Sequence, residues 1–208
     1  MTSPETTRIR LDIAYDGSAF SGWAAQPELR TVQGALEDAL RILYRDLPDT
    51  GSLLTVAGRT DAGVHATGQV AHLDLPSDMW QATARGNRDD SPADALVRRL
   101  SGILGFESDV VVTAAQAVPN AFDARFSALW RRYEYRLADP TARPNPLERH
   151  RTVTVRRPID LSLMNAAAQM LIGLHDFAGF CKPRAGATTV RTLQAFAWEQ
   201  AVPGLFVA

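Results

Sequence analysis

Ala57-Gly58-Arg59-Thr60-Asp61-Ala62-Gly63-Val64-His65-Ala66 lies between two short apolar runs, Leu53-Leu54-Thr55-Val56 and Val70-Ala71-His72-Leu73. The runs read as strands, and the ten residues between them as a glycine-bracketed turn that carries one carboxylate beside one guanidinium. Glycine lets backbone take positive φ or approach another group closely. Loops held by rigid strands are where reactive groups are commonly displayed. On local chemistry alone, Thr-Asp-Ala-Gly is also an ordinary turn signature, in which Asp bonds nearby backbone N–H groups.

The flanking sequence supplies the rest of a sheet. From Arg8 to Asp16, Ile9, Leu11, Ile13 and Tyr15 alternate with Arg8, Arg10, Asp12 and Ala14, the pattern of a half-buried strand. Asp16-Gly17-Ser18-Ala19-Phe20-Ser21-Gly22-Trp23 interrupts regular structure. Thr31 is placed to cap a helix to about Leu47, with Val32, Ala35, Leu36, Ala39, Leu40 and Leu43 at helical spacing and Pro48 beyond it. Leu75 to Ser91 reads as a polar loop, Ala93 to Leu104 as a second helix, and Asp109 to Val118 as a strand. Leu129 to Leu137 alternates again, and Asp139 to Pro146, with Pro140 and Pro144, is a turn. Arg151 to Arg157 reads as a strand, and Asp160 caps a helix from Leu161 to Ile172 that stops at Gly173. Val190 to Gln200 and Leu205 to Ala208 read as the last strands. Runs of strands with interspersed helices predict an α+β fold, a largely antiparallel mixed sheet with helices packed on one face. The order suggests two loosely repeated halves, 1–118 with the Asp61 turn and 119–208.

Composition narrows the class. At 208 residues, 46% hydrophobic and 22% charged, the chain can bury a core without disulfides or metals. Cys181 is the single cysteine and reads as a small packed residue in a reducing, cytoplasmic setting. No apolar run approaches membrane-spanning length, so no membrane partner is expected. A net charge of −1 hides a gradient: between Arg125 and Arg157 lie Arg131, Arg132, Arg136, Arg143, Arg149, Arg151 and Arg156, against Glu134, Asp139 and Glu148. Lys182 is the only lysine. Guanidinium groups suit planar phosphate contacts and stacking on bases, so this cluster points to nucleic acid. His65, His72 and Asp74 lack the spacing of a zinc site, so no metal is assigned. The glycines of Asp16 to Gly22 lack the lysine and helix start of a phosphate loop.

The Gly58-Arg59-Thr60-Asp61, Gly63-Val64-His65 pattern resembles the catalytic motif of the tRNA pseudouridine synthase A family. Three further blocks resemble that family in the same order. They are Tyr15-Asp16-Gly17 with Phe20, Gly22, Trp23 and Thr31-Val32-Gln33; Phe122-Asp123-Ala124-Arg125-Phe126-Ser127-Ala128 with Arg132-Tyr133-Glu134-Tyr135; and His175-Asp176-Phe177 with Phe180. The resemblance implies a pseudouridine synthase fold with two RRM- or ferredoxin-like halves. It implies isomerisation of uridine to pseudouridine in the anticodon stem-loop of tRNA, by a homodimer. The C1′–N1 bond breaks, the uracil turns, and a C1′–C5 bond forms, with no cofactor and no net redox change. Asp61 is then the catalytic carboxylate, acting as nucleophile or as base on a sugar proton. A paired arginine would keep it ionised in a partly buried site. Arg59 is read as contacting phosphate or helping to flip the base. The resemblance places Tyr133 against the target base, where a flat ring replaces lost stacking. Tyr135 is read as core.

Two other classes fit parts of this pattern. A catalytically silent RNA-binding module would keep the fold and the basic face but would not need the intact Asp61 block. A glycosidic hydrolase would need a second carboxylate, for which Asp16 is the nearest candidate. Leu205-Phe206-Val207-Ala208 is an apolar strand with no polar tail, from which a following segment is expected. In the family such a segment supplies an arginine beside the catalytic carboxylate.

Overall fold

The computed structural model describes residues 5–47, 51–85, 91–143, 145–181 and 188–208. Pro48, Pro144, Lys182 and the 86–90 part of the expected loop lie outside them. The chain divides into two compact units, residues 1–130 and 131–208.

The first unit is built on β1 (Thr6–Tyr15), β2 (Thr55–Val56), β3 (Ala66–Pro76) and β4 (Val110–Val118), with α1 (Val32–Leu43), α2 (Ser77–Ala82) and α3 (Pro92–Leu104) between them. Its sheet runs β2-β3-β1-β4 with every pair antiparallel. With α1 and α3 as the two crossovers, this is the βαββαβ arrangement of ferredoxin-like folds. The alternation of β1 decides which face is apolar. Ile9, Leu11 and Ile13 are fully buried, and register puts Leu73 and Ala71 beside Ile9 and Leu11. Leu36 and Leu40 of α1, Leu96 and Leu100 of α3, and Val110 and Val112 of β4 complete this core.

Local chemistry sets the helix ends. Thr31 accepts the Gly34 N–H at 3.2 Å, and Ser91 accepts that of Asp94 at 3.1 Å with Pro92 in the first turn. The first helix stops at Leu43, short of the expected Leu47. Tyr44 leaves helical geometry to bury its ring and bond its hydroxyl to Thr83 at 2.7 Å. The expected loop from Leu75 is partly regular. Thr6 and Thr7 extend the β1–β3 ladder to Pro76, and α2 follows because Trp80 has a core site to fill.

The second unit contains β5 (Arg136–Ala138), β6 (Val153–Thr154), α4 (Leu161–Gln169), β7 (Gly173–Asp176), β8 (Val190–Leu193), β9 (Glu199–Val202) and β10 (Leu205–Val207). One sheet runs β6-β5-β10-β9, with β5–β6 parallel and the other pairs antiparallel; β7 and β8 form a separate hairpin. Three expected strands are shorter or divided. The alternating Leu129–Leu137 stretch is paired only from Tyr135, which exchanges both backbone bonds with Ala208 at 2.8 and 2.9 Å. A strand is stable only where a ladder partner exists. Arg151 ends a 3-10 turn from Pro146, held by Asn145 accepting the Leu147 N–H and by Arg151 pairing with Glu148, so β6 is two residues long. The Val190–Gln200 strand divides because β8 pairs with β7 and β9 with β10; between them Asn165 of α4 bonds both the N–H and the carbonyl of Trp198.

Candidate active site

The 57–65 turn is clasped by the loop that follows β1. It starts in register, with the Ala57 N–H donating to the Val70 carbonyl at 2.8 Å, and the Gln69 side chain holds the Gly58 carbonyl at 2.8 Å. The Thr60 carbonyl accepts the N–H of Trp23 at 2.9 Å, and its hydroxyl lies 2.8 Å from the phenol of Tyr15. The Gly63 N–H reaches the Phe20 carbonyl at 3.4 Å, and that of Val64 turns back to the Asp61 carbonyl at 3.2 Å. Tyr15, Phe20 and Trp23 are buried beneath, so the clasp rests on the core.

Gly17 is where the two loops come closest. A Cβ built there would lie 2.1 Å from the Val64 carbonyl oxygen, a distance no side chain tolerates. Gly63 has φ +78° with open space around it, the left-handed geometry that closes the turn. The Tyr15-Asp16-Gly17 and Gly22-Trp23 residues are therefore a seat for the Asp61 turn. Next to it, His65 Nδ1 lies 3.0 Å from Asp16 Oδ1 and 3.2 Å from the Gly17 nitrogen, tying the turn's exit to the same loop.

Asp61 sits exposed at the tip with Ala62, Gly63 and Val64, and Arg59 is exposed at its base. Among the described residues, neither the Asp61 carboxylate nor the Arg59 guanidinium makes a hydrogen bond or ion pair. The seat grips backbone and leaves the tip, with the Asp61 carboxylate, exposed.

Tyr133 belongs to the second unit, in the irregular stretch before β5, and is 73% exposed. Tyr135 is 53% exposed rather than core, its ring edge-on to Trp198 at 6.1 Å. Cys181 is likewise exposed, not packed. Arg132, Arg143, Arg149, Arg156 and Arg157 are exposed, as is Arg125 in the first unit. Arg136 is instead occupied by Glu134 at 3.1 Å and Glu148 at 3.3 Å, and Arg151 by Glu148. Glu148 consequently titrates below the usual carboxylate range, chiefly through its bond from Arg151. Among the described residues no cluster of His, Cys, Asp and Glu could hold a metal ion, and no helix is long and apolar enough to cross a membrane.

The sequence pattern did not single out Gln69 or the Tyr15–Thr60 pair. A polar residue on an apolar strand was the available signal for Gln69.

No protein-family model matches the chain. Curated relatives do. A protein of Leifsonia xyli subsp. xyli named tRNA pseudouridine synthase A is 55% identical over 206 residues, covering 98% of this chain and 71% of the relative. Proteins of the same name from Cutibacterium acnes and Streptomyces avermitilis are 56% and 48% identical, covering 61% and 68% of their own lengths. The chain spans about two thirds of the length of these relatives.

Proposed function

The chain belongs to the tRNA pseudouridine synthase A family, and from that membership we propose that it isomerises uridine to pseudouridine in tRNA, with Asp61 as the catalytic carboxylate. The observation that carries the reading is the Asp61 turn: its backbone is fixed at four points, while the carboxylate is left exposed at the tip.

Such a group serves either of two routes. As a nucleophile, its oxygen attacks the sugar or the base and the C1′–N1 bond breaks; as a base, it removes a sugar proton. On the first route the Asp61–carbon bond is broken again once the turned uracil bonds through C5 to C1′; on the second the abstracted proton returns to the sugar as that bond forms. On both, the C5 proton leaves and N1 ends protonated. Holding the backbone that carries the carboxylate in advance removes part of the entropic cost of reaching that geometry. Arg59, exposed two residues away in the same turn, is suited to a phosphate of the flipped nucleotide. Tyr133 offers a solvent-facing ring for stacking on the target base and a hydroxyl for the C5 proton. The anticodon stem-loop as target and a homodimeric enzyme are part of the same proposal; mapping the modified uridines and sedimentation test them.

The test is incubation with unmodified tRNA labelled with tritium at uracil C5. Tritium release with no change in RNA mass is the expected result. Intact label after saturating enzyme would reduce the protein to an RNA-binding module.

A further inference from the structure

Beyond β4 the chain doubles back at Pro119–Phe122, whose turn is closed by the Phe122 N–H donating to the Pro119 carbonyl at 2.9 Å. Residues Asn120 to Ser127 then cross the polar face of the first sheet, where two side chains hold them. Arg8 of β1 is bidentate to Asp74 of β3 at 2.8 and 2.7 Å and donates through Nη1 to the carbonyls of Asn120 at 2.9 Å and Phe122 at 2.7 Å. His72 of β3, 5% exposed, accepts the Ala124 N–H at Nδ1 at 3.0 Å, with the Phe122 ring edge-on at 6.0 Å. Ala124 is itself buried. Past it, Asp123 Oδ1 accepts the N–H groups of Arg125 at 2.8 Å and Phe126 at 3.1 Å, and Ser127 Oγ accepts that of Asp123 at 3.0 Å. This stiff turn displays Phe126, 79% exposed, with the Arg125 guanidinium 5.4 Å above its ring. An arginine beside an open aromatic face is the chemistry that holds unpaired nucleotides, phosphate on one and base on the other.

We propose that His72 is a positioning residue for RNA binding: its neutral ring, with Arg8, holds the Asn120–Ser127 turn to the sheet so that Arg125 and Phe126 meet a single-stranded stretch of the tRNA. The inference rests on the proposed function for its partner. A ring nitrogen that accepts an amide proton must carry a lone pair, and the imidazolium has none. Burial is the main force lowering the titration of His72, followed by the charge of Arg8; Asp123 and Asp74 pull the other way. Arg10, opposite His72 in register, is occupied by Asp12 at 2.7 Å. Acidification therefore sets an N–H against the Ala124 N–H and frees the turn.

Two readouts separate the latch from its consequence: hydrogen-exchange protection of the Ala124 amide, and tRNA affinity at fixed salt, both from about pH 7.5 to about pH 5. In the wild type, protection and affinity fall together. His72→Asn, whose amide oxygen stands near the Nδ1 position, holds both level. His72→Phe fills the site without an acceptor, loses Ala124 protection at every pH, and binds tRNA about tenfold more weakly. Arg125→Ala keeps the protection and its pH dependence while weakening tRNA binding. A protected Ala124 in His72→Phe, or lost protection with unaltered affinity, overturns the inference. Failure of the wild type to bind tRNA overturns the functional reading and the RNA part of the inference with it. The Ala124 exchange decides the latch on its own.

Discussion

Gly17 and Gly63 are both invested in the Asp61 turn, but for different physical reasons that substitution separates. Gly17→Ala drives a methyl into the backbone of Val64, and neither chain segment can rotate aside as a flexible side chain could. It should destabilise the first unit by about 1–3 kcal/mol and displace the turn, reducing activity more than tRNA affinity. Gly63→Ala meets only the left-handed backbone cost, about 1 kcal/mol, because no atom lies close enough to clash with the added methyl. Urea unfolding of both variants checks the order; equal losses would mean that the loop-on-loop packing carries no strain. Tyr133→Phe, at a 73% exposed position, should leave the unfolding midpoint unchanged and tRNA binding close to wild type. Single-turnover rates should drop by orders of magnitude if the hydroxyl handles the C5 proton. An unaltered rate would make the ring a stacking surface only.

Among the elements, α1 does more than pack. Glu37, 4% exposed, accepts through Oε1 from Gln33 at 2.8 Å, from Ser52 at 3.2 Å and from the N–H groups of Leu53 and Leu54 at 3.0 and 3.2 Å. It thereby ties the helix to the segment that enters β2 and the Asp61 turn. Glu37→Ala removes the shared acceptor of these donors, among them the buried Leu54 N–H, and should cost about 1–3 kcal/mol, whereas Glu37→Gln keeps an acceptor oxygen and should cost less. Denaturant titration measures both, and a neutral alanine variant would remove the tie from the account. The strict alternation of β1 and the Thr31 cap made the first unit legible in the sequence, since burial and capping are local signals. The short strands of the second unit were not, because each is ended by the reach of its partner or by a side chain such as Asn165 or Asn145. At the site, the residue types of the 57–66 turn were legible. The exposure of Asp61 and the grip of Gln69 and Tyr15 arise from hydrogen bonds across 11 to 45 residues, outside any local pattern.

For the molecule as a whole, the arginine run of the second unit is partly self-neutralised, since Arg136 and Arg151 are held by Glu134 and Glu148. The exposed remainder is what can release counterions from RNA. Affinity for tRNA should therefore fall steeply with salt, and replacing Arg132 and Arg157 with Ala should flatten the log–log slope by about 0.7–0.9 for each phosphate no longer neutralised. A slope left intact would put the RNA elsewhere. The central claim, that Asp61 is the carboxylate doing the chemistry, has a more direct test in Asp61→Asn, assayed for tritium release from C5-labelled tRNA and for tRNA binding in the same preparation, free of wild-type enzyme. Among the described residues the exposed side chain makes no bond the fold depends on, so the variant should fold and bind as the wild type does while forming no pseudouridine. Turnover by the Asn variant would contradict the assignment.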